Sequence, residues 1–126
     1  MKKEEQVINA IAKGPGICPN KYQKLALRTA SKEAMENPTL NGVLGLGGES
    51  GECLDLVKKH LFQGHELDKA KMAKELGDVA WYLALTAYGI GYDLEDILRM
   101  NIDKLRARYP DGFDAEHSLH RKAGDT

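Results

Sequence analysis

At 126 residues the chain is long enough for one domain. Charged residues make up 29% and hydrophobic ones 42%, the balance of a globular protein and not of a disordered or membrane-embedded one. The formal net charge of −1 argues against a general nucleic-acid binder, and no apolar run approaches the ~20 residues of a membrane span. The opening MKKEEQ has acids where a secretory signal carries an apolar core, which points to a cytoplasmic protein. Cys18 and Cys53 are far apart and lack CxxC spacing, so neither a disulfide framework nor a zinc site is expected.

In chain order, Lys2 to Lys13 suits a short helix with Val7, Ile8 and Ile11 on one side, broken by Gly14-Pro15-Gly16. Residues 1–19 are therefore read as an N-terminal arm. The first firm helix is expected from Asn20, a good N-cap, to about Glu36, with Tyr22, Leu25, Ala26, Thr29 and Ala30 at helical spacing. Asn37-Pro38 ends it. A second helix is expected from Thr39 or Asn41 to about Phe62, although Gly42, Gly45, Gly47, Gly48 and Gly51 each cost up to ~1 kcal/mol relative to alanine. A helix tolerates such a run where a neighbouring backbone or a ligand comes close; a loop over Asn41–Gly48 is the alternative.

Gln63-Gly64 stops that helix, and Asp68 caps the next, expected over Lys69–Ala87 with Ala73, Leu76, Ala80, Leu83 and Ala87 as its apolar seam. Asp93 caps a fourth, running to about Arg108 before Pro110. Residues 114–126 read as a loose polar tail. No strand alternation or repeat is visible. The expected fold class is all-α, an antiparallel helical bundle of about four core helices, with residues 20–113 as the domain. Its long apolar seams imply assembly as a dimer or tetramer.

The chemistry concentrates between Gly48 and Asp78. Glu49-Ser-Gly-Glu52 and Glu75-Leu-Gly-Asp78 each set two carboxylates three positions apart, on one helix face. Both pairs sit among apolar neighbours, where unpartnered acids are costly. The short connection from about Gln63 to Leu67 makes the second and third helices neighbours and faces the pairs across from each other. Four carboxylates in a small volume call for a cation, and all-oxygen ligation favours Mg²⁺, with Mn²⁺ as a substitute. The alternative for either pair is a solvated helix face. Gly47-Gly48 lacks the Gly-Lys-Ser/Thr of a phosphate loop. No Ser/His/Asp or Cys/His set is present, and His60, His65, His117 and His120 have no ligand spacing. Lys58, Asn101, Lys104 and Arg108 offer polar and basic groups near helix ends, with Lys58 also placed to pair with Glu52 or Asp55 on its own helix. Trp81, Tyr82 and Tyr109 serve equally as core aromatics or as stacking surfaces for a base.

Taken together, Gly48-Glu49-Ser-Gly-Glu52, Lys58-Lys59, Lys74-Glu75-Leu-Gly-Asp78-Val-Ala-Trp81-Tyr82, and Asn101-Ile-Asp-Lys104-Leu-Arg-Ala-Arg108-Tyr109-Pro110 resemble the MazG-like nucleotide pyrophosphohydrolases of the all-α NTP pyrophosphatase superfamily. The likeness covers roughly Tyr22 to Phe113. It implies conversion of nucleoside triphosphates, ribo or deoxy, to monophosphate plus pyrophosphate, in nucleotide-pool house-cleaning. It implies Mg²⁺ held by Glu49, Glu52, Glu75 and Asp78, with Glu49 or Glu52 as an alternative general base. Lys58, Lys104 and Arg108 would neutralise phosphate, Asn101 would complete a ligand or ribose contact, and Trp81 and Tyr109 would contact the substrate. The implied partners are the nucleotide and further copies of the chain, with no nucleic acid and no membrane. A non-catalytic helical dimerisation or regulatory module is the competing expectation.

Overall fold

A computed structural model of the chain describes residues 16–126, so the helix expected at 2–13 lies outside the described residues. Six helices follow in order: α1 (Pro19–Leu27), α2 (Lys32–Glu36), α3 (Pro38–Phe62), α4 (Lys69–Gly89), α5 (Leu94–Arg108) and α6 (Ala115–Leu119). Among the described residues the only sheet-like feature is an isolated bridge between Pro110 and Gly112. The all-α expectation holds. The chain divides into two compact units, Met1–Leu94 and Glu95–Thr126.

The first unit is built on the antiparallel pair α3 and α4, and the glycines explain how closely they approach. A Cβ added at Gly42 would strike the Thr86 side chain and stand 2.9 Å from its backbone N. One added at Gly45 would strike the Tyr82 ring, and one at Gly89 would come within 2.6 Å of the Thr39 backbone N. Positions 39, 42 and 45 thus face 89, 86 and 82 in turn, three residues forward on α3 for three or four back on α4. Two helices can run this close only where one side of each contact has no side chain. The loop reading of 41–48 is excluded, because α3 is continuous through it. Pro38, placed at the first turn where its missing N–H costs nothing, starts α3 a residue earlier than expected. Asp68 caps α4 as foreseen, accepting from the Lys71 backbone N at 2.9 Å.

The single helix expected from Asn20 to Glu36 is two. Pro19 starts α1 with Cys18, not Asn20, at the N-cap position. The chain turns after Leu27, and Ser31 begins α2 by accepting from the Ala34 N at 3.1 Å. The break persists because its freed groups find partners. Trp81 Nε1 on α4 donates to the Ala26 carbonyl at 3.1 Å and to Thr29 Oγ1 at 2.8 Å. Gln23 fastens the other end of α1. Its buried side chain donates to the Ala84 and Tyr92 carbonyls, both at 3.2 Å, and accepts from the Leu94 N at 3.0 Å. Around these bonds Ala26, Ala84 and Leu94 form the core, with Tyr22, Trp81 and Leu83 packed against it.

In the second unit, α5 carries Glu95 and Asp96 in its first turn and Arg106 and Arg108 in its last, each sign at the end the helix dipole favours. The tail is more ordered than its composition suggests. Asp114 caps α6 by accepting from the His117 N at 2.7 Å, and Arg108 forms a forked ion pair with Asp125.

Candidate metal centre

The seam that begins with the glycines ends with the acids. On α3, positions 42, 45, 49 and 52 fall within one arc of about 80°, and so do 75, 78, 82 and 86 on α4. Continuing the register beyond Gly45 and Tyr82 sets 49 opposite 78 and 52 opposite 75. One carboxylate oxygen from each of Glu49, Glu75 and Asp78 lies within 4.8 Å of the other two. Glu49 and Glu75 are half-buried and Asp78 is exposed, so the cluster opens at one edge.

Electrostatics register this crowding. The Glu49 carboxyl is raised from its ordinary value of 4.5, first by burial, then by the charges of Asp78, Glu75 and Glu52, and last by a hydrogen bond with Glu75. Two carboxylates sharing a proton take a cation in its place when one is offered. Among the described residues this trio is the one group of three His, Cys, Asp or Glu side chains with ligand atoms so close. Glu52 is not part of it; it is exposed, and its charge is felt at Glu49 on one side and Lys59 on the other. The donor set is all oxygen and comes from two rigid helices. Opposite ligands of an octahedral Mg²⁺ stand about 4.2 Å apart, close to the 4.8 Å within which the three oxygens already lie. The residues therefore fit a hard divalent cation.

Glu49 and Asp78 also form part of the wall of a cavity of about 420 Å³, completed by Thr29, Trp81 and Tyr82. Trp81 meets Tyr82 edge to face, with ring centroids 4.9 Å apart. Its indole N–H is engaged with α1, as described above. Trp81 is thus a structural aromatic that also presents surface to the cavity. Two residues here escaped the sequence reading as site residues. Thr29 reaches the cavity because α1 breaks beside it. Tyr22, read as an apolar position, donates weakly to the Gly77 carbonyl at 3.5 Å, and its hydroxyl is raised by burial and then by the charge of Asp78. Both belong to contacts spanning more than 50 residues in sequence, for which local spacing carries no signal.

The remaining candidates are neither in the acidic trio nor in the wall of that cavity. Lys58 pairs with Asp55 at 3.0 Å and Lys59 with the same carboxylate at 2.7 Å, which holds Asp55 down at about 2. Asn101, Lys104, Arg108 and Tyr109 belong to the second unit. There Asn101 is exposed, Lys104 Nζ donates to the Thr126 carbonyl at 2.8 Å, and Arg108 is engaged with Asp125. Tyr109 packs on Phe113 with ring centroids 5.4 Å apart, and the Arg108 guanidinium lies 5.9 Å from the Tyr109 centroid.

An all-helical fold with a carboxylate cluster between two antiparallel helices defines a class of proteins suited to hold a divalent cation. Residues 39–113, more than half the chain, match the MazG nucleotide pyrophosphohydrolase domain, and the chain belongs to that family. The matched segment runs from the start of α3 through Phe113. The chain is also similar to the Gene 37 protein of Mycobacterium phage L5, 35% identical over 69 residues, which is 52% of this chain and 60% of that protein. It therefore spans less than two thirds of that relative. No solved structure matches the chain.

Proposed function

We propose that the chain is a Mg²⁺-dependent nucleoside triphosphate pyrophosphohydrolase, converting NTP or dNTP to the monophosphate and pyrophosphate in cytoplasmic nucleotide-pool house-cleaning. The observation that carries this is the convergence of Glu49, Glu75 and Asp78 across the α3–α4 seam. Mg²⁺, or Mn²⁺ in its place, would supply the positive charge that lets an acidic site accept a triphosphate. Glu49, Glu75 and Asp78 would hold it. Glu52, outside the trio but within electrostatic reach of Glu49, would orient or deprotonate a water. Thr29, Trp81 and Tyr82 shape the cavity beside the acids, where an apolar wall and a hydroxyl suit a nucleoside. Lys104, Arg108 and Asn101 are assigned to phosphate and sugar groups by the resemblance, and Lys58, Tyr109 and the Trp81 stacking face remain secondary contacts.

The assembly belongs to the same proposal. Among the described residues Leu85 is the only large side chain that is fully buried, while Leu44, Leu54, Leu61 and Phe62 along α3 are 64–81% exposed. A core so thin, beside an apolar stripe so long, supports a homodimer or homotetramer.

Product analysis tests the reaction: a panel of NTPs and dNTPs is incubated with Mg²⁺ or with EDTA and the products are separated. Monophosphate and pyrophosphate formed only with metal support the assignment. Diphosphate and phosphate would replace it with a different phosphohydrolase, and no turnover would favour the non-catalytic module.

A further inference from the structure

The second unit contains a cavity of about 530 Å³ between α5 and the chain's last turns, and four of its ten lining residues are cationic. Lys104 and Arg108 come from α5, and Arg121 and Lys122 from the tail beyond the family match. Against these four cations the wall sets two carboxylates, Glu116 and Asp125. Asp125 is in the wall because the chain reverses just before it. The Asp125 N donates to the Lys122 carbonyl at 3.0 Å, and Gly124 takes φ +86°, a left-handed backbone that favours glycine. The reversed chain lays the carboxylate on the Arg108 fork, Nε to Oδ2 at 2.7 Å and Nη2 to Oδ1 at 2.5 Å. The pair is sheltered, with side-chain exposures of 11% and 16%. The Thr126 carbonyl meets Lys104 in the same way.

A planar guanidinium that grips a carboxylate through two parallel bonds offers the same fork to a phosphate. The lining outnumbers its own acids two to one, so the internal carboxylate leaves the cavity positive. We propose that this cavity is a binding site for a phosphate-type polyanion, recognised by Lys104, Arg108, Arg121 and Lys122, and that Asp125 occupies it as an internal competitor. For Lys104 and Arg108 the inference rests on their assignment to nucleotide phosphate; Arg121, Lys122 and Asp125 extend it to the tail. The Asp125 carboxylate is held below its ordinary value by Arg108 first and also by the charges of Arg121 and Lys104, so three cations already converge on one anion.

The test is calorimetric titration of the full chain with inorganic pyrophosphate, and separately with a nucleoside triphosphate, both in EDTA. Without metal the Glu49–Glu75–Asp78 cluster repels either probe, so a failure of the enzyme assignment leaves this measurement standing. Asp125→Asn is expected to tighten binding by at least about threefold, the lower end of what removing one competing ion pair should give. The double variant Arg121→Gln/Lys122→Gln is expected to weaken it by a similar factor, and carries the test alone if circular dichroism shows Asp125→Asn unfolded. A gain with both probes identifies the anion as the substrate's phosphate, and a gain with pyrophosphate alone identifies it as the released product. A folded Asp125→Asn that binds no better than the wild type, or a double variant that binds as well, overturns the proposal.

Discussion

Replacing Gly42 by alanine should do the opposite of replacing Gly51, although both lie in α3. Away from contacts, glycine to alanine in a helix gains about 1 kcal/mol from backbone entropy alone. At Gly51 no atom lies within 4 Å of the added Cβ, so Gly51→Ala should keep that gain. At Gly42 the methyl would stand 2.9 Å from the Thr86 N and 3.0 Å from its Cα, and backbone cannot swing aside as a side chain would. Overpacking of this kind costs roughly 1–3 kcal/mol, and the neighbouring Gly45 contact resists a sideways slip. The net expectation for Gly42→Ala is a loss of up to about 2 kcal/mol, against a gain of about 1 for Gly51→Ala. At this chain length each kcal/mol moves Tm by roughly 3–5 °C, so the two variants should differ by about 10 °C in a thermal melt without metal. Gly42→Ala should also weaken Mg²⁺ binding, because helices pushed apart at 42 and 86 separate the acids two turns further along. If both variants raise Tm equally, α3 and α4 are not in close contact at this seam and the account of how the acids are brought together is wrong.

Other expectations follow from the same geometry. Glu75→Gln and Asp78→Asn should each lower metal-dependent turnover by at least about 100-fold while circular dichroism shows the helices intact, and should leave metal-free stability equal or higher because repulsion is relieved. Unfolding of Asp78→Asn would make that residue a structural acid instead. The raised Glu49 carboxyl means that the folded state holds a proton the unfolded chain has released, so metal-free stability should fall as pH rises from about 4.5 through the raised value. Saturating Mg²⁺ should flatten or reverse that slope in denaturant titrations at several pH values. Gln23→Leu, nearly equal in size, should cost about 2–3 kcal/mol by chemical denaturation, since the Leu94 N–H is left buried without its acceptor.

Much of the site was legible because it is local. The i,i+3 acids, the Asp68 cap and the short link after Gln63 are each a few residues long, and they suffice to place two carboxylate pairs on facing helices. The glycines of α3 mark close approach at Gly42 and Gly45, whereas Gly47, Gly48 and Gly51 have nothing within 4 Å. What remained hidden depends on distant partners. The break between α1 and α2 is held by Trp81, 52 residues from Thr29. Glu52 stands exposed and outside the trio, which its i,i+3 spacing from Glu49 does not signal. The tail appeared loose because its sequence is polar, yet its order comes from Asp125 reaching back 17 residues to Arg108.

The central claim is that one small-residue seam carries three carboxylates into a single divalent-cation site, and Mn²⁺ titration followed by electron paramagnetic resonance measures this directly. Wild type should remove free Mn²⁺ from solution saturably, Mg²⁺ should displace it, and Glu49→Gln, Glu75→Gln and Asp78→Asn should each weaken binding by tenfold or more. Folded variants that bind Mn²⁺ as tightly as the wild type, or a wild type that binds none with or without nucleotide, would contradict it.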